Sequence, residues 1–473
     1  ADNRAFLEAA AAYIPASGPA AAATAVAPPT CELLPEATGV SIADTIDRTQ
    51  AACGLPRPIL AEIAAAALRR KIAPADIETK LGSLARIAAE LGGLLLRSES
   101  TDQVVKRLRA EAHAALYDGH FDEADALLSG AEARDLSASV ASEVDRRQRR
   151  RAAADTRGQR ALLEELRLDY RKAARHYEAA ATSLADDEVE IRWRYALKQG
   201  DALNTEGDEF DDIGALETAV VIFARALELQ PRKASAQHWA ITQNHLGNAL
   251  LSLGTREKNR EKIALAATSY RRALEVETRE RSATAWALLQ GNVGAASMKL
   301  ADLDPQRAHV ADAVEAFRFA LEVFTRDKAP ADWALSQMNL AAALSRLGSF
   351  DDDASPLEGA ATAYQAALEE TDREGAPEEW ARLQNSLGNV LSELGERSRD
   401  TRWLEMALIA YEAALSHWTM ARAPMQWALT TANLGNTLWA LGGMTSAANL
   451  LQDAAGKIIA AVGAKSDVPV APA

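Results

Sequence analysis

Apolar residues recur with a helical period in the segment WAITQNHLGNALLSLG, residues 239–254. Trp239, Leu246 and Leu253 follow one another at seven-residue intervals, which places them in one stripe of a 3.6-residue helix. The next apolar segment, IALAATSYRRALEV, places Ala266 and Tyr270 on one face of a second helix. The two patterns predict a pair of packed helices in which small residues permit close approach and the aromatic ring fills the space beside them.

Both patterns recur every 47 residues. The first repeats through Trp239, Trp286, Trp333, Trp380 and Trp427, and the second through Phe223, Tyr270, Phe317, Tyr364 and Tyr411. A fixed period of this size indicates a stack of units in which each unit packs only on its neighbours. Since the apolar residues are mostly Ala and Leu, the sequence predicts an all-α solenoid of antiparallel helix pairs.

The order of these patterns divides the chain into five segments. We expect an N-terminal helix and Ala/Pro-rich linker (1–40), a helical cap (41–103), irregular helix pairs (104–189), regular 47-residue repeats with a C-terminal capping helix (190–462) and a disordered tail (463–473). Pro74, Pro330, Pro377 and Pro424 are predicted in first helical turns. Gly119 and Gly254 are predicted to end helices in the left-handed conformation.

Composition and charge limit the cellular compartments and the kinds of partner that we expect. A formal charge of −15 argues against nucleic-acid or anionic-membrane binding, and no apolar run is long enough to span a membrane. The two cysteines, Cys31 and Cys53, are expected to be unpaired thiols of a cytoplasmic protein. A Cys31–Cys53 bridge and a periplasmic location are the alternative, in which Ala1 follows a processed signal peptide.

The repeat resembles the tetratricopeptide repeat (TPR) family. Leu246, Gly247 and Leu250 match its first-helix motif, and Ala266, Tyr270 and Ala273 match its second-helix motif. The 47-residue period and the WAxTQNxLGxAL phrase are similar to a bacterial subgroup found with caspase-like, TIR or CHAT effector domains. The resemblance implies a right-handed superhelix that binds a peptide or a protein and has no catalytic activity of its own.

In such a superhelix the first helix of each pair lines the concave surface. The residues two before, one before and two after the repeated Leu are then exposed, and asparagine is frequent among them. A carboxamide has one acceptor and two donor hydrogens, so a row of them suits the main chain of an extended peptide. The candidate binding residues are Asn244, His245, Asn248, Asn292, Asn339, Asn385, Asn389, Asn433, Asn436 and the out-of-register Trp439. Bonds from these asparagines to neighbouring helices, and a core position for Trp439, are the alternatives.

Other chemistry has little support in the sequence. The in-register tryptophans share the spacing of core leucines, so we expect them to pack between repeats. The histidines form no helical i, i+4 pair, and we find no phosphate loop, nucleophile motif or Cys-His set. We therefore predict no catalytic residue, no metal site and no cofactor.

We consider three functions for this sequence. The first is a non-enzymatic scaffold that binds a peptide or partner protein. The second is a regulatory or sensor subunit of a bacterial effector system of the protease, TIR or CHAT type, and the third is an enzyme, for which the sequence offers no residues. Because helical arrays expose apolar edges, the sequence also leaves a homo-oligomer open.

Overall fold

The computed structural model describes residues 41–73, 76–97, 100, 102–137, 143–350 and 353–467. The predicted N-terminal helix and linker, Cys31 and Pro74 lie outside these residues. The described residues belong to two compact units, one ending at Glu277 and the other beginning at Thr278. We call them the N-terminal unit and the C-terminal unit.

The N-terminal unit begins with the three helices of the segment expected to be a cap and continues with helix pairs. Its helices are α1 (Ile42–Cys53), α2 (Arg57–Arg69), α3 (Ile77–Leu96), α4 (Gln103–Tyr117), α5 (Phe121–Ser137), α6 (Glu143–Leu166), α7 (Tyr170–Ser183), α8 (Val189–Phe210), α9 (Ile213–Leu229), α10 (Ala236–Arg256) and α11 (Arg260–Leu274). Cys53 is buried at the end of α1.

The C-terminal unit consists of four helix pairs. Its helices are α12 (Ala283–Leu303), α13 (Arg307–Leu321), α14 (Pro330–Gly348), α15 (Ser355–Glu370), α16 (Pro377–Ser398), α17 (Thr401–Leu415), α18 (Pro424–Thr445) and α19 (Ala448–Asp467). We call the first helix of each 47-residue pair helix A and the second helix B.

Within each unit, every helix packs against the helix that follows it in the chain. Across the described residues the secondary structure is helical, which confirms the prediction of an all-α array of stacked helix pairs. None of the described helices combines the length and the apolar character needed to cross a membrane.

The contact between helix A and helix B is an aromatic ring lying on a glycine. A Cβ atom added to Gly247, Gly294 or Gly388 would lie 2.5–2.7 Å from a ring carbon of Tyr270, Phe317 or Tyr411, respectively. Since real side chains do not approach so closely, glycine is needed in these three pairs for the ring to rest on the helix A backbone. In the last pair Gly435 faces Ile458, which occupies the aromatic position.

One repeat has Ala341 in place of this glycine. Its aromatic partner, Tyr364, is 7% exposed, whereas Tyr270, Phe317 and Tyr411 are 1–2% exposed. The added methyl group is therefore accommodated where the ring is slightly less enclosed.

A second series of glycines corrects one sequence prediction. Gly254 does not end α10, which continues to Arg256, and the left-handed residue after the helix is Lys258 with φ 53°. A Cβ on Gly254 would lie 2.8 Å from Cγ1 of Ile263, so the glycine is needed for close approach of the two helices. Gly348, Gly395 and Gly442 face Leu357, Leu404 and Leu451 in the same way.

The other predicted helix ends agree with the structure where they are described. Helices α14, α16 and α18 begin at Pro330, Pro377 and Pro424, as the missing amide hydrogen of proline favours. Gly119, with φ 77°, lies in the left-handed region just after α4. Helix α19 extends to Asp467, into the segment expected to be a disordered tail, and residues 468–473 lie outside the described ones.

Two glycines of one helix test the ring-on-glycine contact. We expect Gly294→Ala to lower the free energy of unfolding by about 1–3 kcal/mol, because its methyl group collides with the Phe317 ring. Gly291→Ala in the same helix meets nothing within 4 Å and should raise stability by about 0.5–1 kcal/mol through helix propensity. Urea unfolding of both variants measures the difference, and equal effects of the two substitutions would contradict this role for Gly294.

Candidate partner-binding face

The predicted binding residues form two main columns on helix A. One column immediately precedes the repeated Leu and contains His245, Asn292, Asn339, Ser386 and Asn433. The other follows the repeated small residue and contains Asn248, Ala295, Ala342, Asn389 and Asn436. We call these the first and second columns.

In the C-terminal unit a hydrogen bond joins the two columns. Asn433 of α18 donates from Nδ2 to Oδ1 of Asn389 of α16, at 2.9 Å. The same Oδ1 accepts a hydrogen bond of 2.8 Å from the hydroxyl of Tyr411, whose side chain is buried. Asn389 is exposed and Asn433 is half-buried, so this amide pair crosses from one helix A to the next at the surface.

Asn248 in the N-terminal unit has the same internal bond. Its Oδ1 accepts a hydrogen bond of 2.8 Å from the hydroxyl of Tyr270. Phe317 has no hydroxyl, and the second column has Ala295 in that repeat. The asparagines at 248 and 389 therefore serve a structural purpose, which was the alternative reading of these residues.

The remaining candidates of the C-terminal unit differ in exposure. Asn385 is half-buried and accepts a hydrogen bond of 3.0 Å from Thr430 of the next helix A. Asn292 and Asn339 are half-buried, and Asn436 is exposed. Trp439 is 58% exposed, so its alternative placement in the core is wrong.

Two candidates in the N-terminal unit are not exposed as predicted. Asn244 and His245 are 1% and 5% exposed. His245 lies against the Phe223 ring, and its Nδ1 shares a hydrogen bond of 2.5 Å with Oδ1 of Asp201 in α8. The expectation of exposure is wrong because the preceding helix A offers a carboxylate in the second column, which draws the imidazole into the contact between α8 and α10.

A row of arginines covers four of the five periodic tryptophans, and it was not predicted from the sequence. The pairs, with the distance from guanidinium carbon to ring centroid, are Arg232–Trp239 (5.1 Å), Arg279–Trp286 (5.8 Å), Arg326–Trp333 (5.6 Å) and Arg373–Trp380 (4.6 Å). Arg326 also bonds Glu369 at 2.7 Å. These arginines recur every 47 residues, so the sequence contained the signal. The tryptophans are half-buried under cations, which supports a packing role.

Three residues with side chains that commonly bind metals lie close together, one on each of three helices of the N-terminal unit. Ligand atoms of Asp125, Glu164 and His176 lie within 4.8 Å of one another. Arg160 bonds Asp125 at 2.7 Å, and Lys172 bonds Glu164 at 2.6 Å. Burial, together with Arg160, lowers the pKa of His176 to about 4. The local charge thus favours ion-paired carboxylates and a neutral imidazole over a bound cation.

The described residues also line an open cleft of about 420 Å³ in the N-terminal unit. Arg70 crosses it to Glu206 at 2.9 Å and lies 3.7 Å above the Phe210 ring. Arg69 bonds Glu62 at 2.6 Å, and Arg171 bonds Asp212 at 2.7 Å. Lys71 also lines the cleft. The other charged side chains of the lining are paired within the protein, which leaves few groups to converge on a ligand.

No protein-family model and no curated protein sequence matches the chain. Among the solved structures similar to it, the C-terminal part of a TPR repeat-containing protein from Cytophaga hutchinsonii is 12% identical, over 65% of this chain and 94% of that chain, with a TM-score of 0.43. A TPR protein from Parabacteroides merdae is 12% identical over 71% and 100%, with a TM-score of 0.36.

A third similar structure is the apo form of RapI, 11% identical over 90% of this chain and 97% of that chain, with a TM-score of 0.41. At such identities and TM-scores these likenesses say nothing about a ligand. The assignment to a 47-residue bacterial subgroup stays a prediction.

The internal role of Asn389 is testable by a double-mutant cycle. Asn389→Ala removes the acceptor of the buried Tyr411 hydroxyl, so we expect a loss of about 1–3 kcal/mol in the free energy of unfolding. Adding Tyr411→Phe should recover much of that loss, because the unsatisfied hydroxyl is gone. If urea unfolding shows strictly additive effects, the bond contributes nothing.

The environment of His176 predicts a pH dependence. Because its folded-state pKa of about 4 lies below the ordinary 6.5, the unfolded chain binds a proton first as the pH falls. Stability should therefore decline between pH about 6.5 and about 4, and His176→Gln should make that decline shallower. Thermal melts across this range compare the two proteins, and identical pH profiles would show that His176 is not responsible.

Proposed function

We propose that the protein is a non-enzymatic interaction scaffold whose helix A face in the C-terminal unit binds an extended segment of a partner protein. The observation that carries the proposal is the hydrogen bond between Asn433 and Asn389, which links carboxamides of adjacent A helices at the surface. Such a pair offers hydrogen-bonding groups to a ligand without first having to be ordered.

This pair has both donor hydrogens and an acceptor oxygen available for a ligand. Among the described residues, Oδ1 of Asn389 accepts from Tyr411 and Asn433, while its Nδ2 hydrogens meet no acceptor. Asn433 donates one Nδ2 hydrogen, and within the same part of the chain its Oδ1 meets no donor. A peptide group needs one acceptor and one donor, so the pair matches main chain rather than a charged side chain.

The first column extends this surface along the unit. Asn292, Asn339, Ser386 and Asn433 are all polar, uncharged and half-buried, one on each A helix. Adjacent helices lie about 8–10 Å apart, and an extended chain rises about 3.3 Å per residue, so a bound segment would meet one A helix about every three residues. Recognition would be tolerant of the partner's side chains.

In the N-terminal unit, the corresponding position is used internally. His245 is buried and bonded to Asp201, and Asn244 is buried as well. These residues are unavailable to a ligand without disrupting the contact between α8 and α10. The proposal therefore confines the binding face to the C-terminal unit.

The double variant Asn339→Ala/Asn433→Ala tests the first column. Peptides selected from a displayed random library on the intact protein serve as the probe. We expect the variant to bind them at least about tenfold more weakly, since two hydrogen-bonding side chains are lost. Its melting temperature should stay unchanged, because the Tyr411 hydroxyl keeps its bond to Asn389.

The matched control is Gln365→Ala/Gln452→Ala, which removes two exposed carboxamides from B helices of the same unit. It should bind the selected peptides like the unchanged protein. Equal affinity of both double variants, or failure to select any peptide that requires the C-terminal unit, would refute the proposed face.

A further inference from the structure

Helix α18 differs from the other A helices of its unit in charge. Its 22 residues, Pro424–Thr445, include no Asp, Glu, Lys, Arg or His. Helix α16, in the same register, contains six charged residues: Glu378, Glu379, Arg382, Glu393, Glu396 and Arg397. In a chain that is 25% charged, an uncharged helix with exposed apolar groups marks an unusual surface.

The preceding A helix shows what covers this surface there. Asn385, Asn389 and Ser392 of α16 contact Thr430, Asn433 and Thr437 of α18, at 3.0, 2.9 and 2.8 Å respectively. Helix α16 thus receives the following A helix on this face. The same face of α18, 47 residues further along, consists of Ala432, Asn436, Trp439 and Gly443. We call it the end face.

The end face is open and apolar at its centre. Trp439 is 58% exposed where α16 has the small polar Ser392. Asn436 is exposed, and a Cβ atom built on Gly443 meets nothing within 4 Å. The surface therefore has room for another helix. Its large exposed side chain, Trp439, would be stabilised by burial.

We propose that a second copy of this chain docks on the end face, with α18 packed against α18 about a two-fold axis. Each copy has a net charge of −15, so two copies repel except where they meet through an uncharged surface. Burying α18 against itself desolvates no charged side chain of that helix. Trp439 would supply the buried aromatic anchor that typically dominates such an interface.

Asn436 makes the surface self-complementary. A carboxamide both donates and accepts, so two copies of Asn436 related by a two-fold axis satisfy each other. Asn389 and Asn433 already form such an amide contact within the stack. The dimer would therefore use, between two chains, the same kind of polar contact that joins α16 to α18 within one chain.

Light scattering of the intact protein between about 1 and about 100 µM tests this proposal. We expect the mass to rise with concentration toward twice that of the monomer. Trp439→Ser, which introduces the residue that α16 has at this register, should weaken dimerisation by at least about tenfold. Ile409→Ser, at a 66% exposed position on α17, is the control and should dimerise normally.

A second variant tests the two-fold geometry. Asn436→Asp places two carboxylates opposite each other, so it should weaken the dimer at low salt and recover in part in about 0.5 M NaCl, whereas Trp439→Ser should not recover. A monomer at every concentration, or a dimer that Trp439→Ser leaves intact, overturns the proposal. Dimerisation that resists Asn436→Asp overturns the two-fold arrangement. Asn339 and Asn433 lie outside the end face, so the peptide experiment is independent of this one.

Discussion

The repeat depends on the close contact between an aromatic ring of helix B and the backbone of helix A. Phe317 on Gly294 and Tyr411 on Gly388 show the constraint: the ring occupies the volume that any larger residue would need. A second glycine seven residues later, such as Gly395 under Leu404, brings the helices together again at the other end of the contact. With both contacts in place, the pair has one register and one separation, and each pair presents the same faces to its neighbours.

This packing also determines the polar groups at the surface. A tyrosine ring on the glycine brings its hydroxyl near the second column of helix A, where Asn248 and Asn389 accept its hydrogen bond. Where the ring is Phe317 the column has Ala295, and where Ile458 replaces the ring Asn436 is exposed. The asparagines thus have two different roles. Asn248 and Asn389 satisfy a buried hydroxyl, whereas Asn433 and Asn436 have no such partner.

The strict 47-residue register made the fold predictable, because core positions, helix pairing and the proline starts all repeat with it. The cap assigned to Gly254 was wrong, since a glycine looks the same in sequence whether it supplies a left-handed turn or close approach. The burial of His245 depended on Asp201 in another helix, 44 residues away. The 47-residue spacing of the arginines was visible in the sequence. Their stacking on the tryptophans was not, because it depends on the conformation of the loop before helix A.

The helix A face of the C-terminal unit is proposed to be a binding surface. Hydrogen–deuterium exchange of the intact protein, with and without a selected peptide, tests this proposal, because bound ligand slows local opening of the helices it contacts. We expect slower exchange in α14, α16 and α18, with α13, α15 and α17 much less affected. Slowing confined to the B helices or to the N-terminal unit would contradict it.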